Sequence, residues 1–476
     1  LVSLKLDLQL VNKIIFRTFC FLVIALNIQV YAQVKISPDV QTALLASKER
    51  SYSLKEKEHA AAKTELDAKK VKHKHIPTVS ATGGIAHFKN DAVLDLTPIT
   101  LPILPGQLFD GFQGLSAKGN IVGAGLMANS VLFSGLQIPK ATKALKTKAE
   151  AERLLRDAES ETVSRQVLIA LDNLEVLKQV DVLLTESKKR LESEKKRVDK
   201  AIEVGLAIPF DRDKIVLASL ELDAKSKEAE GTRNVLIEQL SYLTGFTSEE
   251  IRNIEHHFEV IPILNTNTLH LENKKELEAL DLFIEAQNLN VERERNGILP
   301  QVAAFGGLQY ARLFDSKATL NSMPISGNNL TGNLGKLEIW PNWIVGIGVK
   351  WEIFEGMQRK HRIDEAKLDM TLLEDKRKDS EEKLNLLLTK QKNDWQTQSE
   401  ILGIARQRLH IATQNLERAE KQYKQGLLSI NDRLSSENDY FAAALSLSQE
   451  TAKQRELSID LLITAGSFTQ SIEVTP

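Results

Sequence analysis

The chain has 476 residues, 42% hydrophobic, 26% charged and only 5% aromatic, a composition suited to long aliphatic helices rather than to an all-β sandwich or a disordered chain. Its 62 lysines and arginines nearly balance its 64 aspartates and glutamates, so no basic excess exists for a nucleic-acid partner. A single cysteine excludes a disulfide framework, a cysteine-based zinc site and an iron–sulfur cluster.

Residues 1–32 read as a signal peptide. Lys13 and Arg17 precede an apolar run of 13 residues, Thr18–Val30. Val30-Tyr31-Ala32 then puts small side chains at the −3 and −1 positions before Gln33. The run is short for a bilayer crossing. Cys20 lies inside it and not at the cleavage point, so no lipidation is expected. No later stretch has 18 consecutive apolar residues. The exported chain is therefore expected to be either free of the membrane or within it as a β-barrel.

An internal duplication organises the remainder. Ile76-Pro-Thr-Val-Ser-Ala-Thr-Gly-Gly84 matches Leu299-Pro-Gln-Val-Ala-Ala-Phe-Gly-Gly307 at an offset of 223. Four further matches share an offset of 221: Leu132-Phe-Ser-Gly135 with Ile353-Phe-Glu-Gly356, Val204-Gly-Leu206 with Gln425-Gly-Leu427, Asp211-Arg212 with Asp432-Arg433, and Gly245 with Gly466. The expected organisation is a first repeat over 33–250, an inter-repeat segment over 251–267, a second repeat over 268–466 and a tail over 467–476.

Each repeat has one order of elements. A helix is expected over Asp39–His75, and again over Leu269–Gly297, each stopped by a proline at 77 or 300. A strand follows at Thr78–Phe88 and Gln301–Phe314, then a loop rich in Gly, Pro and Asn at Asn90–Lys118 and Asp315–Asn342. A second strand is expected at Gly119–Phe133 and Trp343–Phe354. In the latter, Val345, Ile347, Val349, Trp351 and Ile353 alternate with Gly346, Gly348, Lys350 and Glu352. That period fits either a soluble core face or the lipid face of a membrane barrel. From Ile138 to Val204 the only proline is Pro139 in the first turn, where a helix tolerates it. Val163, Val167, Ala170, Leu174 and Leu177 step by fours and threes, a coiled-coil seam. Its counterpart is Met357–Gln425. A Gly-Leu turn ends each, at Gly205 and Gly426, and a returning helix follows. One chain cannot bury every face of helices roughly 100 Å long, so self-association is expected.

The signal peptide, the twice-repeated helix–strand–strand–long helix–turn–helix order, Leu-Pro-x-Val before the first strand and Phe-x-Gly after the second resemble the TolC-like outer-membrane efflux proteins. The resemblance covers the mature chain. It implies a mainly α fold with a small transmembrane β part: a trimeric α-helical periplasmic barrel continuous with a 12-stranded outer-membrane β-barrel, four strands per chain. It implies a passive channel of a tripartite efflux or type I secretion system, with no catalytic residues and no cofactor. The implied partners are two further copies of the chain, a periplasmic adaptor, an inner-membrane pump and outer-membrane lipid. An exported soluble coiled-coil scaffold is the competing reading. The equatorial belt is expected from Thr247–Asn267 and the stretch after Gly466.

The resemblance also assigns residues. Val204, Gly205 and Leu206 match the tip at which the adaptor hairpin docks, and Gly426 and Leu427 form the second tip. The closed periplasmic gate is expected around Asp211, Arg212, Tyr423, Leu428, Asp432 and Arg433. Two departures stand out: Leu428 replaces the family's arginine, and Ser435 replaces a second acid. Arg212 and Arg433 are the nearby cations expected to take over. His73, His75 and the pair His256-His257 are not spaced as metal ligands and are expected to be solvated.

Overall fold

The structure is a computed structural model that describes residues 34–95, 97, 99–100, 107–109, 112–263, 266–271, 274–321 and 328–474. The expected signal peptide, with Cys20, lies outside them. In chain order the elements are β1 (Val34–Ile36), α1 (Pro38–Arg50), α2 (Tyr52–Lys72), β2 (Thr78–Asp95), β3 (Ile99–Thr100), β4 (Gln107–Phe109), β5 (Phe112–Phe133), α3 (Gln137–Glu203) and α4 (Pro209–Thr244). They continue as α5 (Ser248–Arg252), α6 (Lys275–Arg295), β6 (Gln301–Asn321), β7 (Leu330–Lys350), α7 (Gln358–Lys424), α8 (Ile430–Ala465), α9 (Phe468–Ser471) and β8 (Ile472–Val474). Both long helices have 67 residues and both returning helices have 36.

The first expected helix is two helices. The Ser51 N–H closes α1 on the Ser47 carbonyl at 2.9 Å, and its hydroxyl accepts the Leu54 N–H at 3.3 Å. One serine thus ends α1 and caps α2.

Four antiparallel strands form a sheet in the order β2-β5-β6-β7. They run 18 to 22 residues, well beyond the expected strands and into the expected loops. The reason lies in the outer halves, where Asn90, Asp91, Ser116 and Lys118 put polar side chains on both faces. The period-2 signal fades there, while backbone pairing continues out to Asp95 opposite Phe112. Near the other end the alternation is as expected: Val345, Ile347 and Val349 are exposed, and the intervening Gly346 and Gly348 are less so.

The Phe-x-Gly motif starts each long helix. Gly135 and Leu136 have φ of 61° and 62°, and Gly356 and Met357 have 56° and 70°. Two successive left-handed residues turn the chain from strand into helix, a conformation that glycine adopts without penalty. A Cβ on Gly135 would also lie 3.0 Å from the Leu299 Cβ.

Two compact units emerge, and they cut across the repeats. One joins Ala62–Ala149 to Phe283–Leu373 and carries the four-stranded sheet. The other joins the chain up to Ala61, Glu150–Leu282 and the chain from Glu374. In this helical unit the seam residues Val163, Val167, Ala170 and Leu174 are buried, and Leu177 is half-buried. Leu168 and Leu171 are buried beside them, so α3 presents a stripe wider than a two-helix seam. The same core takes in Ile251, Ile254, Ile261 and Ile263 of the inter-repeat segment and Phe468 of the tail. There β1 pairs in parallel with β8. A second cluster toward the turns contains Leu184, Leu191, Val198, Ile215 and Phe441. Among the described residues no helix is long and apolar enough to cross a membrane.

Candidate docking tips and gate

The two hairpin turns have the same backbone. The Gly205 N–H donates to the Ile202 carbonyl at 3.1 Å and the Leu206 N–H to Ala201 at 2.8 Å. Gly426 donates to Tyr423 at 3.0 Å and Leu427 to Gln422 at 3.0 Å. This paired bonding is the Schellman cap, which needs a left-handed residue at the turn. Gly205 and Gly426 supply it with φ of 75° and 73°. A Cβ at either site would meet nothing within 4 Å, so backbone conformation and not crowding selects glycine.

The side chains differ between the tips. Val204 and Leu206 are 69% and 83% exposed, and Ile208 and Phe210 are also open to solvent. The last two extend the apolar patch beyond the motif and were missed in the sequence. At the second tip Leu427 is exposed, Leu428 is half-buried and Ile430 is buried. The first tip is therefore the more apolar.

The gate candidates divide into three groups. Asp432 lies in the first turn of α8, which Ser429 caps: the Ser429 hydroxyl accepts the Asp432 N–H at 3.2 Å and donates to its carboxylate at 2.6 Å. Arg212 engages its neighbour Asp213 at 3.0 Å. Asp211, in the first turn of α4, is close enough to Tyr423 to act on its ionisation. Burial pushes the Tyr423 phenol above its usual range, and the charges of Glu194 and Asp211 add to the rise.

Arg433 is not a solvent-facing cation; it is 1% exposed. Its Nη2 lies 3.2 Å from Glu437 and 3.7 Å from Glu420. Glu437 also accepts from Arg190, at 3.0 Å and 2.8 Å, and from the Ser187 hydroxyl at 2.7 Å. The group binds α3, α7 and α8 together within one chain. Nε and Nη1 of Arg433 have no hydrogen-bond partner among the described residues.

A second buried cluster holds the inter-repeat segment. Asp172 on α3 accepts from Arg455 on α8 at 2.8 Å, and His256 Nε2 lies 2.5 Å from the same oxygen. Arg455 reaches the Glu259 carbonyl at 2.5 Å, and Gln454 and Ile261 bond reciprocally through side chain and backbone. The side chain of His256 is 2% exposed, contrary to the expected solvated histidine: the segment folds inward and the imidazole meets a carboxylate. His75 is half-buried, with Nδ1 2.6 Å from the Val131 carbonyl, and His73 and His257 are exposed. Among the described residues no cluster of His, Cys, Asp and Glu could hold a metal.

A signal for these clusters was present in the sequence. Ile430, Arg433, Glu437, Phe441, Ala444 and Ser448 step by threes and fours along one buried stripe of α8. Charges at two positions of an otherwise small and apolar stripe mark buried ion pairs.

Comparison with known proteins agrees with this architecture. Residues 268–467 match the family model for outer membrane efflux proteins. The Campylobacter jejuni CmeC outer membrane channel superposes with a TM-score of 0.66 at 15% identity, covering 90% of this chain and 86% of that one. The Neisseria gonorrhoeae MtrE outer membrane channel, in its open state, gives 0.64 at 14% identity, covering 92% and 90%. Vibrio cholerae VceC, an outer membrane protein, gives 0.61 at 15% identity, covering 90% and 96%. No curated protein sequence matches. The resemblance drawn from the repeated motifs is borne out: the second half of the chain matches the outer membrane efflux protein family model, and the chain has the fold of these outer membrane channels.

Proposed function

We propose that three copies of this chain form an outer-membrane conduit, fed at its periplasmic end by an adaptor protein and an inner-membrane pump. One observation carries the reading: the sheet has four strands in open order, with β2 and β7 at its edges. Unpaired edges of 18 and 21 residues cannot stand in a bilayer, where every backbone polar group must be paired. Four strands are too few to close, and three chains give twelve. The exposed alternating face of β7 then meets lipid, and the helical unit stands in the periplasm.

The adaptor is assigned to the first tip on its apolar patch. Leu206→Asp places a charge where an apolar contact forms, and Leu206 has no packing role in its own chain. Export by cells carrying this variant should fall to background while the protein still reaches the outer membrane at normal level. Export that persists at that level would remove the docking assignment. The gate is assigned to the second hairpin around Tyr423, Leu428 and Asp432. Leu428→Arg, which restores a charge-assisted donor, should lower single-channel conductance in planar bilayers. An unchanged conductance places the constriction elsewhere.

A further inference from the structure

The outward face of the sheet changes character along the strands. Opposite residues of antiparallel strands point to the same face, so the register defines which side chains share it. On one face the end nearer the helices carries Val79, Leu126, Leu308, Trp343 and Val345, all exposed. Tyr310 and Trp340 stack edge to face farther along, with ring centroids 6.1 Å apart. Beyond them Lys89 on β2 stands opposite Lys118 on β5, and Lys118 stands opposite Lys317 on β6. An irregularity between Lys118 and Asn120, where Asp315 takes a φ of 49°, keeps Lys317 on this face. Three adjacent strands thus present three lysines in one row.

All three lysines are exposed. Like charges directly opposite one another repel, so the row costs stability unless an anion sits on it. The carboxylate of Asp91 reaches Lys89 at only 4.0 Å. Lys118 and Lys317 have no ion-pair or hydrogen-bond partner among the described residues. Asn333 continues the row on β7 without adding an acid. By contrast, Arg312 lower on the same face stands opposite Glu338, so the local excess of positive charge belongs to the lysine row.

We propose that Lys89, Lys118 and Lys317 form a binding site for the phosphate groups of a glycolipid in the outer leaflet of the membrane. The inference rests on the barrel reading above: an apolar band, then aromatic side chains, then cations follows the sequence of acyl chain, interface and headgroup in a bilayer. The row lies toward the ends of the strands remote from the long helices, which is the outer surface in that reading. Lipid A, carrying two phosphates on a disaccharide, matches the chemistry of several lysines side by side.

The test uses the full protein purified in detergent, titrated with lipid A in mixed micelles and read by native mass spectrometry. The wild type should bind lipid A with an affinity that falls as salt rises. The triple variant Lys89→Gln, Lys118→Gln, Lys317→Gln should bind at least about tenfold more weakly, while the triple arginine variant should retain binding. Dephosphorylated lipid A should bind no better than the glutamine variant does. Equal lipid A binding by wild type and glutamine variant, with both embedded in carbonate-washed membranes, overturns the site and leaves the barrel standing. Equal binding of phosphorylated and dephosphorylated lipid overturns the phosphate assignment. Release of the wild type by carbonate overturns the barrel and, with it, this inference.

Discussion

Glu437 is held by Arg190, Ser187 and Arg433 in a buried group. Removing one partner of a buried pair leaves the other charge uncompensated, which costs about 3–5 kcal/mol. Glu437→Ala should therefore lower helical stability by about 3 kcal/mol or more, read as thermal unfolding by circular dichroism. Asp432 has the same charge five residues away but is exposed in the first turn of α8, where its carboxylate accepts from the capping Ser429 hydroxyl, so Asp432→Ala should cost no more than about 1 kcal/mol. Equal costs would show that the buried group bears no special load. Tyr423 gives a second prediction. Its phenol has a raised pKa because burial and nearby acids disfavour the anion. The contribution is fully present below the unfolded value of about 10 and is lost as pH rises through the higher folded value. In an absorbance titration at alkaline pH, the difference between wild type and Tyr423→Phe should appear above the midpoint of the exposed tyrosines. A difference appearing at or below that midpoint would refute it.

At the scale of elements, much of the architecture was legible because local rules and the global fold agree. A single early proline, followed by a long run without another, gave a 67-residue helix whose limits the structure moves by one residue. Glycine at each turn marked a left-handed cap, and the structure shows that cap twice. The outer halves of the strands were not legible, because polar side chains on both faces erase the period that marks a strand. The break at Ser51 was missed because its side-chain cap lies within an otherwise helical pattern. Of the candidate site, the exposed tips were readable from the turn motif, whereas the role of Arg433 was not. Its partner Glu437 was outside the motifs, and only the stripe of α8 could have joined them. The tip geometry yields a graded test. Gly205→Ala keeps a left-handed residue at a cost of roughly 1 kcal/mol and meets no neighbouring atom, so export should survive. Gly205→Pro cannot adopt a φ of 75° and removes the N–H bonded to Ile202, so export should be lost. Loss in both variants would mean that the turn tolerates no side chain for a reason outside its own backbone.

At the scale of the whole molecule, both units leave apolar surface or strand edges open. In the helical unit α4 leaves Leu217, Leu220, Val235 and Tyr242 exposed, and α7 does the same with Leu386 and Ile404. In the sheet unit the open edges are β2 and β7. Closing the sheet through three copies pairs β2 of one chain with β7 of the next, which places Ala81 near the helix-proximal end of β7. The register between chains is set by barrel shear, so a panel is needed. With Cys20, the one cysteine of the sequence, replaced by serine, Ala81→Cys combined in turn with Val345→Cys, Ile347→Cys or Val349→Cys adds the only thiols. Oxidation in native envelopes should convert one member of the panel to a covalent trimer on a denaturing gel. A heterologous contact that closes must stop at three chains and cannot extend into a ladder. Single-cysteine controls can give at most dimers. A panel that yields only monomers would break the edge-to-edge assembly, and a ladder beyond three would break its closure.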